Sequence, residues 1–341
     1  MPTPLARLAR LTALAAASVL LISGCAATTT DDPASDPSGA FPVTIEHVYG
    51  ETTITEKPER VVTIGWGSQD AVAALGVVPV GVTDFTWGTV DTYLPWFADK
   101  VEELGGDLPE IVATNDAGEY DYEQILALEP DVILARHSGI TEEEYQRLSE
   151  IAPTVAYQGV PWASDWEDVQ LVAGRALGLE PEAQEIIETT NDIIAQHAAD
   201  HPEFAGKTFA YGWAWVDGDT DLGIYMNTEA RERLIQQLGF TTTPLVEELS
   251  ATADQFVSYI SLENLDTLDA DLYVLWSNSD AEFDAMKANP LIARWAPIAD
   301  GKYYAMTDQT LGWASSQPSA LSIPFSLDII VPELAAVIAA H

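Results

Sequence analysis

The sequence predicts an α/β protein of two lobes with parallel-type sheets, joined by a single long α-helix. Three observations carry this. From Phe41 onward, short apolar strands alternate with helical stretches, the pattern of parallel sheets covered by helices. The alternation comes in two series, and an uninterrupted helical run separates them. At 341 residues the chain has the length of two ordinary domains.

The first series opens at Arg60-Val61-Val62-Thr63-Ile64-Gly65, a buried-strand pattern. A helix from Asp70 to Leu75 follows, closed by Gly76. Val77-Val78-Pro79-Val80-Gly81-Val82 and Asp131-Val132-Ile133-Leu134-Ala135 read as the next strands. The second series begins at Lys207-Thr208-Phe209-Ala210-Tyr211 and continues through Leu272-Tyr273-Val274-Leu275-Trp276. Between them, Pro181 to Asp200 starts with a proline and acidic residues in its first turn and is stopped by Pro202, all favourable helix boundaries. Ile186, Ile187, Ile193 and Ile194 share one stripe. About 20 residues at 1.5 Å each reach roughly 30 Å, enough to span a small domain as a strut. The expected divisions are therefore 41–180 for the first lobe, 181–204 for the connecting helix and 205–341 for the second lobe.

One internal echo links the lobes. Glu123-Gln124-Ile125-Leu126-Ala127-Leu128-Glu129-Pro130-Asp131 is matched by Glu263-Asn264-Leu265-Asp266-Thr267-Leu268-Asp269-Ala270-Asp271. Each segment has Glu, then Leu and Asp at the same offsets, then a buried strand. Lobes built on one plan carry these glutamates at equivalent places; any helix–loop–strand unit could also look this way.

Charge excludes some classes. With 14 Lys+Arg against 54 Asp+Glu the net charge is −40. Such a surface repels phosphate backbones, so no nucleic-acid partner is expected. Attachment to anionic lipid through a basic patch is equally disfavoured. The single cysteine excludes a disulfide framework and any multi-cysteine metal site. His197 and His201 are four apart, but the Glu that follows the first His of a metalloprotease is missing. Ser68 lacks a G-x-S-x-G elbow, and no Walker-type loop is present. No catalytic or metal site is expected.

The N-terminus reads as an export segment. Arg7 and Arg10 precede an apolar run from Leu11 to Ile22, too short to span a membrane and suited to a signal peptide. It ends Leu21-Ile22-Ser23-Gly24-Cys25, which resembles the lipobox of bacterial lipoproteins. Residues 1–24 are then a lipoprotein signal peptide, Cys25 the lipidated residue, and 25–40 a flexible tether rich in Pro, Ser, Thr and Asp. The protein is expected outside the cytoplasm, lipid-anchored to the outer face of the cell membrane.

The ordered segments from about Val43 onward resemble the substrate-binding proteins of bacterial ABC importers for iron–siderophore complexes, haem and cobalamin. The resemblance rests on Pro58-Glu59-Arg60-Val61-Val62, on Leu75 through Gly81, and on Glu123 through Asp131 running into Arg136-His137-Ser138-Gly139-Ile140. Ile151-Ala152-Pro153-Thr154-Val155 and Asn289-Pro290-Leu291 followed by Trp295 and Tyr303 complete it. It implies a ligand cleft between the lobes, a monomer, and a partner permease dimer with its ATPase. It also implies that Glu123 and Glu263 dock the permease by salt bridges.

In α/β sheets ligands sit beyond the carboxyl ends of the strands. Those ends carry Trp66, Trp87, Arg136 and Trp162 in the first lobe and Trp213, Trp215, Tyr225, Trp276 and Trp313 in the second. At least six of the ten tryptophans lie at such ends, which suits a large, partly apolar chelate. Arg136 is the one cation that can be placed there, too few for a trianionic catecholate. A neutral or cationic ferric hydroxamate fits better, with Arg136 donating to its oxygens. No resident cofactor is expected; ferric iron enters only within the siderophore. His137 beside Arg136 keeps haem open as an alternative, cobalamin belongs to the same importer class, and an extracytoplasmic hydrolase using the cleft is the rival from another class.

Overall fold

The computed structural model describes residues 40–84, 92–114 and 118–341. A hairpin of β1 (Val43–His47) and β2 (Gly50–Ile54) leads into β3 (Val61–Thr63), α1 (Ser68–Ala74), β4 (Gly81–Thr83), α2 (Pro95–Glu103) and β5 (Glu110–Val112). Then come α3 (Tyr122–Ala127), β6 (Val132–Leu134), α4 (Glu142–Ser149), β7 (Thr154–Val155), α5 (Trp166–Leu177) and the long α6 (Glu180–Asp200). Five of these strands form a parallel sheet in the order β5-β4-β3-β6-β7. Apolar clusters lie on both its faces, one around Val61, Val132, Val172 and Leu177 and the other around Val62, Ile125, Ile133 and Leu148. That is why these strands read as unbroken apolar runs. The strand at 77–82 is shorter than its sequence pattern: β4 begins only at Gly81, and Pro79 has no N–H to give to a ladder.

The second lobe comprises β8 (Thr208–Trp213), β9 (Asp221–Tyr225), α7 (Ala230–Gln237), β10 (Thr241–Thr242), α8 (Pro244–Ser250) and β11 (Val257–Ser261). A 3-10 turn, Leu262–Thr267, precedes β12 (Leu272–Trp276), α9 (Asp280–Ala288), α10 (Ala296–Ala299), β13 (Tyr303–Met306), α11 (Gln309–Ser316) and α12 (Ser322–Ala339). Its sheet runs β11-β9-β8-β12-β13, with β10 beside β8. It is mixed and not purely parallel. β8 pairs antiparallel with β9, and β9 with β11, because the short link from Trp213 to Asp221 cannot hold the crossover that a parallel partner needs.

The echo has a structural counterpart. Asp131 Oδ2 accepts the backbone N–H groups of Glu59 and Arg60, both at 2.8 Å, at the entrance to β3. Asp271 Oδ2 accepts the N–H of Thr208 at 2.9 Å and its hydroxyl at 3.0 Å at the entrance to β8. Each aspartate opens a strand, β6 or β12, that pairs parallel with the strand it clasps. Glu123 and Glu263 sit exposed one short helix upstream of these clasps.

In α6, Ala183, Thr190 and Ile194 are buried and Ile186, Ile187 and Ile193 half-buried. Gly174 of α5 faces Ala183 so closely that a Cβ there would lie 2.4 Å from it, which sets the approach of these two helices. α12 is long and apolar enough to cross a membrane by composition. Its Ile323, Leu327, Ile330 and Leu334 are nevertheless buried in the core of the second lobe. The lobes also share a cluster in which Ala73, Val82, Trp96 and Phe97 pack with Trp313 and Ala314. Polar bonds cross beside it: Gly67 N–H donates to Gln317 Oε1 at 2.9 Å, and Ser319 donates to Asp70 at 2.6 Å.

Candidate functional site

A cavity of about 250 Å³ opens between the lobes. Its first wall is built just past β3 and β6. Gly65 has φ +83°, and a Cβ there would lie 2.3 Å from the His137 carbonyl, so only glycine lets the two strand ends run together. Trp66 N–H then donates to that carbonyl at 2.9 Å, which fixes the indole at the cavity mouth. Trp162 lies against it, with ring centroids 4.9 Å apart. Trp162 has φ +60°, a left-handed conformation costly for a bulky residue. It is held there by its N–H bond to Ser138 O at 3.1 Å and by the bare Gly139 beneath its indole.

His137 lines the same wall and is buried. Its Nδ1 donates to Ser164 O at 2.8 Å, since a carbonyl can only accept. Burial pushes its pKa down to about 4, the Ser164 bond partly opposes this, and the nearby Arg231 lowers it further. The imidazole is therefore neutral at pH 7.

The second lobe supplies the other wall. Tyr225 ends β9, Trp276 ends β12, and Trp276 Nε1 donates to the Tyr225 hydroxyl at 2.8 Å. Burial holds that phenol above its ordinary pKa, so it is an uncharged surface. Trp313, from α11, meets Trp66 edge-on across the gap at 5.1 Å. α7 brings the charge. Glu229 is its N-cap and accepts the Arg231 N–H at 2.7 Å. The Arg231 Nη1 also donates to Glu229, while its guanidinium lies 4.3 Å from the Tyr225 ring centroid.

Arg231 is 5% exposed and Glu229 fully buried. Burial opposes the charge on Arg231, but Glu229 outweighs it and keeps the guanidinium protonated. Burial holds Glu229 above the ordinary carboxylate range, and the Arg231 charge and hydrogen bonds offset this only in part. Glu232, fully buried, accepts the Tyr211 N–H at 3.0 Å. It is driven well up by burial and by Glu229, toward the neutral acid. The polar wall thus carries one cation and one anion that cancel. Among the described residues the guanidinium makes one side-chain hydrogen bond, from Nη1 to Glu229; Nη2 makes none, and Nε, shielded from solvent, has no acceptor.

Of the residues expected at the cleft, Trp66, Trp162, Tyr225, Trp276 and Trp313 meet around this cavity. Arg136 does not. Its Nε and Nη2 donate to Asp168, the Nη2 bond being 2.9 Å, and Nη2 also reaches Gln158 at 3.0 Å. Its Nη1 donates to the carbonyls of Glu46 and Ala156, so the guanidinium is consumed inside the first lobe. Trp215 is turned into the second lobe's core, with Nε1 on Asp219 O at 2.8 Å. Trp213 backs the wall instead of forming it, packed against Tyr225 at 5.3 Å. Trp87 and Cys25 lie outside the described residues.

Arg231 and Glu229 are the residues that sequence reasoning missed. One pattern pointed to them: a basic residue in the first turn of a helix opposes the macrodipole, so its presence there calls for another use.

Two α/β lobes, a linking helix and an aromatic cavity between them define a solute-binding protein. The Periplasmic binding protein family model matches residues 61–310, and the chain belongs to that family. Relatives include the Fe(3+)-citrate-binding protein YfmC of Bacillus subtilis, 25% identical over 89% of this chain and 92% of its own length. The protein named "Probable siderophore-binding lipoprotein YfiY" of Bacillus subtilis is 25% identical over 80% of each chain. Among solved structures, PiaA of Streptococcus pneumoniae in complex with ferrichrome superposes with a TM-score of 0.80 at 30% identity, covering 88% of this chain and 99% of the other.

Proposed function

We propose that this protein is the lipid-anchored receptor of an ABC importer, capturing a ferric siderophore of the hydroxamate type and delivering it to the permease dimer. The observation that carries the reading is the composition of the cavity: indole and phenol walls from both lobes around one guanidinium whose charge Glu229 already balances. Aromatic faces cover the hydrocarbon links of a chelate, and Arg231 offers N–H donors to its oxygens. A trianionic catecholate would find no net positive charge, whereas a neutral hydroxamate complex needs none. The ferrichrome complex of PiaA supports the hydroxamate choice. With Trp66 and Trp162 on one lobe and Tyr225, Arg231 and Trp276 on the other, a bound chelate ties the lobes together. Permease docking then favours release by favouring another arrangement.

Cys25 supplies the anchor, as the lipoprotein name of YfiY supports. Glu123 and Glu263, exposed at equivalent places on the two lobes, supply the docking charges, and the ATPase is a separate polypeptide.

The test is intrinsic fluorescence of the purified protein titrated with ferrioxamine, a ferric catecholate, haemin and cobalamin. Saturable quenching by ferrioxamine at micromolar or lower concentration, and tighter than by the catecholate, is expected. Saturation by haemin or cobalamin alone would move the ligand to those classes, and tighter catecholate binding would overturn the hydroxamate assignment.

A further inference from the structure

The guanidinium of Arg231 faces compensating negative potential on two sides. Glu229 meets it through a carboxylate anchored on the backbone N–H of Arg231 itself, so the pair belongs to one helix start and cannot drift apart. Both groups are buried, and solvent does not screen them. On another side lie the faces of Tyr225, 4.3 Å away, and Trp66, 5.9 Å away, whose π-systems are negative at their centres. The hydrogen-bonding capacity is a separate matter: among the described residues Nη1 is the guanidinium nitrogen that bonds Glu229, and Nη2 makes no hydrogen bond. Both side chains line the cavity. It therefore presents a donor without net positive charge.

We infer that Glu229 is a specificity-determining residue, which cancels the Arg231 charge so that the cavity accepts neutral ferric chelates and rejects anionic ones. The inference rests on reading the cavity as a ferric-chelate site. Discrimination here comes from an element that repels the wrong ligand as well as one that attracts the right one. An anionic chelate that reached the Arg231 donors would stand beside an unscreened carboxylate, and a chelate of zero charge would lose nothing by it. Removing the Glu229 charge while keeping an acceptor for the helix start should leave a net cation in the wall and admit anions.

The experiment measures Kd by fluorescence quenching for ferrichrome, which is neutral, and ferric citrate, which is anionic, on the wild-type protein, Glu229→Gln and Glu229→Asp. The wild type is expected to prefer ferrichrome. Glu229→Gln should narrow that preference by at least about tenfold by tightening ferric citrate, and Glu229→Asp, which keeps the charge, should retain the wild-type ratio. An unchanged ratio in a folded Glu229→Gln protein would overturn the inference, as would Glu229→Asp shifting the ratio equally. Should the single variant fail to fold, the double variant E229Q/R231Q buries no unpaired charge. It should lose ferrichrome affinity without gaining ferric citrate, and a gain would overturn the inference. Wild-type binding of neither chelate would overturn the chelate-site reading itself, and a wild-type preference for ferric citrate would overturn the role of Glu229 and the hydroxamate choice while leaving the chelate-site reading in place.

Discussion

Among the described residues two arginines are buried, and they have opposite fates. Arg136 follows β6 and Arg231 opens α7, and both are under a tenth exposed. Around Arg136 the fold has gathered four acceptors from distant parts of the chain: the Asp168 carboxylate, the Gln158 amide oxygen and the carbonyls of Glu46 and Ala156. Arg231 has the neighbouring Glu229, bonded through Nη1, and among the described residues its Nη2 is left over. A buried cation with every donor occupied pins a structure together; one with a donor to spare, beside an aromatic cavity, is available to a ligand. The count of acceptors separates the two roles, not burial or position at an element's end.

Substitution should break this contrast in opposite directions. Arg136→Met strips Asp168 of its partner and unties β1 from α5, and is expected to cost about 3–5 kcal/mol of stability. Denaturant unfolding would show it, and chelate affinity of the folded protein should be unchanged. A loss of affinity equal to that of the Arg231 variant would refute the division of roles.

Another buried titratable group, a carboxyl, lies where the lobes meet. Asp70 is fully buried between Trp96 Nε1, at 2.7 Å, and the Ser319 hydroxyl, at 2.6 Å. Burial raises its pKa to about 7 from an ordinary 3.8, against the pull of these hydrogen bonds. The folded protein thus keeps a proton that the unfolded chain has already released. The stability contributed by that proton is complete below the unfolded pKa and is lost as pH rises through about 7. Asp70→Asn removes this dependence. Unfolding free energies measured from about pH 4 to 8 should show the variant gaining on the wild type by about 2–4 kcal/mol across the window; parallel profiles would show that Asp70 does not titrate this way.

The ligand-side effect is expected to be somewhat smaller. Arg231→Met, combined with Glu229→Gln so that no lone carboxylate is buried, should weaken chelate binding by about 2–3 kcal/mol, roughly 30- to 150-fold, in a quenching titration. Trp66→Ala should fall in the same direction, whereas Trp215→Ala, at a core position, should lower stability and leave Kd alone. At the bottom of the scale stand Glu123→Ala and Glu263→Ala. Both residues are exposed, so stability should move by no more than about 0.5 kcal/mol and chelate affinity not at all. Uptake by whole cells should nonetheless fall, and undiminished uptake would remove the docking assignment.

Much of the architecture is legible in the sequence because it depends on local order. The short apolar runs at Val61, Val132 and Leu272, rich in β-branched residues or bounded by turn signals, read as buried strands, and the prolines around 181–202 bound one long helix. The match of Asp131 with Asp271 marks two clasps that the fold realises as backbone hydrogen bonds. The cavity is less legible, because side chains past a strand's end leave the two-residue alternation that tells inside from outside. Trp213 ends β8 and Trp215 follows it two residues on, yet one backs the cavity wall and the other enters the core. Arg136 could not be separated from a ligand-binding arginine without knowing that Asp168 and the Glu46 carbonyl, 32 and 90 residues away, converge on it. The mixed second sheet was hidden for a different reason: β9 follows β8 after a link too short for a crossover, and its Asp221–Tyr225 run carries no long apolar stretch to announce it.

The most direct measurement is an anomalous difference map at the iron edge from crystals grown with ferrichrome. One strong iron peak is expected in the inter-lobe cavity, flanked by Trp66, Trp162 and Tyr225, with a chelate oxygen in hydrogen-bond reach of the Arg231 guanidinium. Iron bound elsewhere, or seated in the cavity with Arg231 making no contact to the chelate, would contradict it.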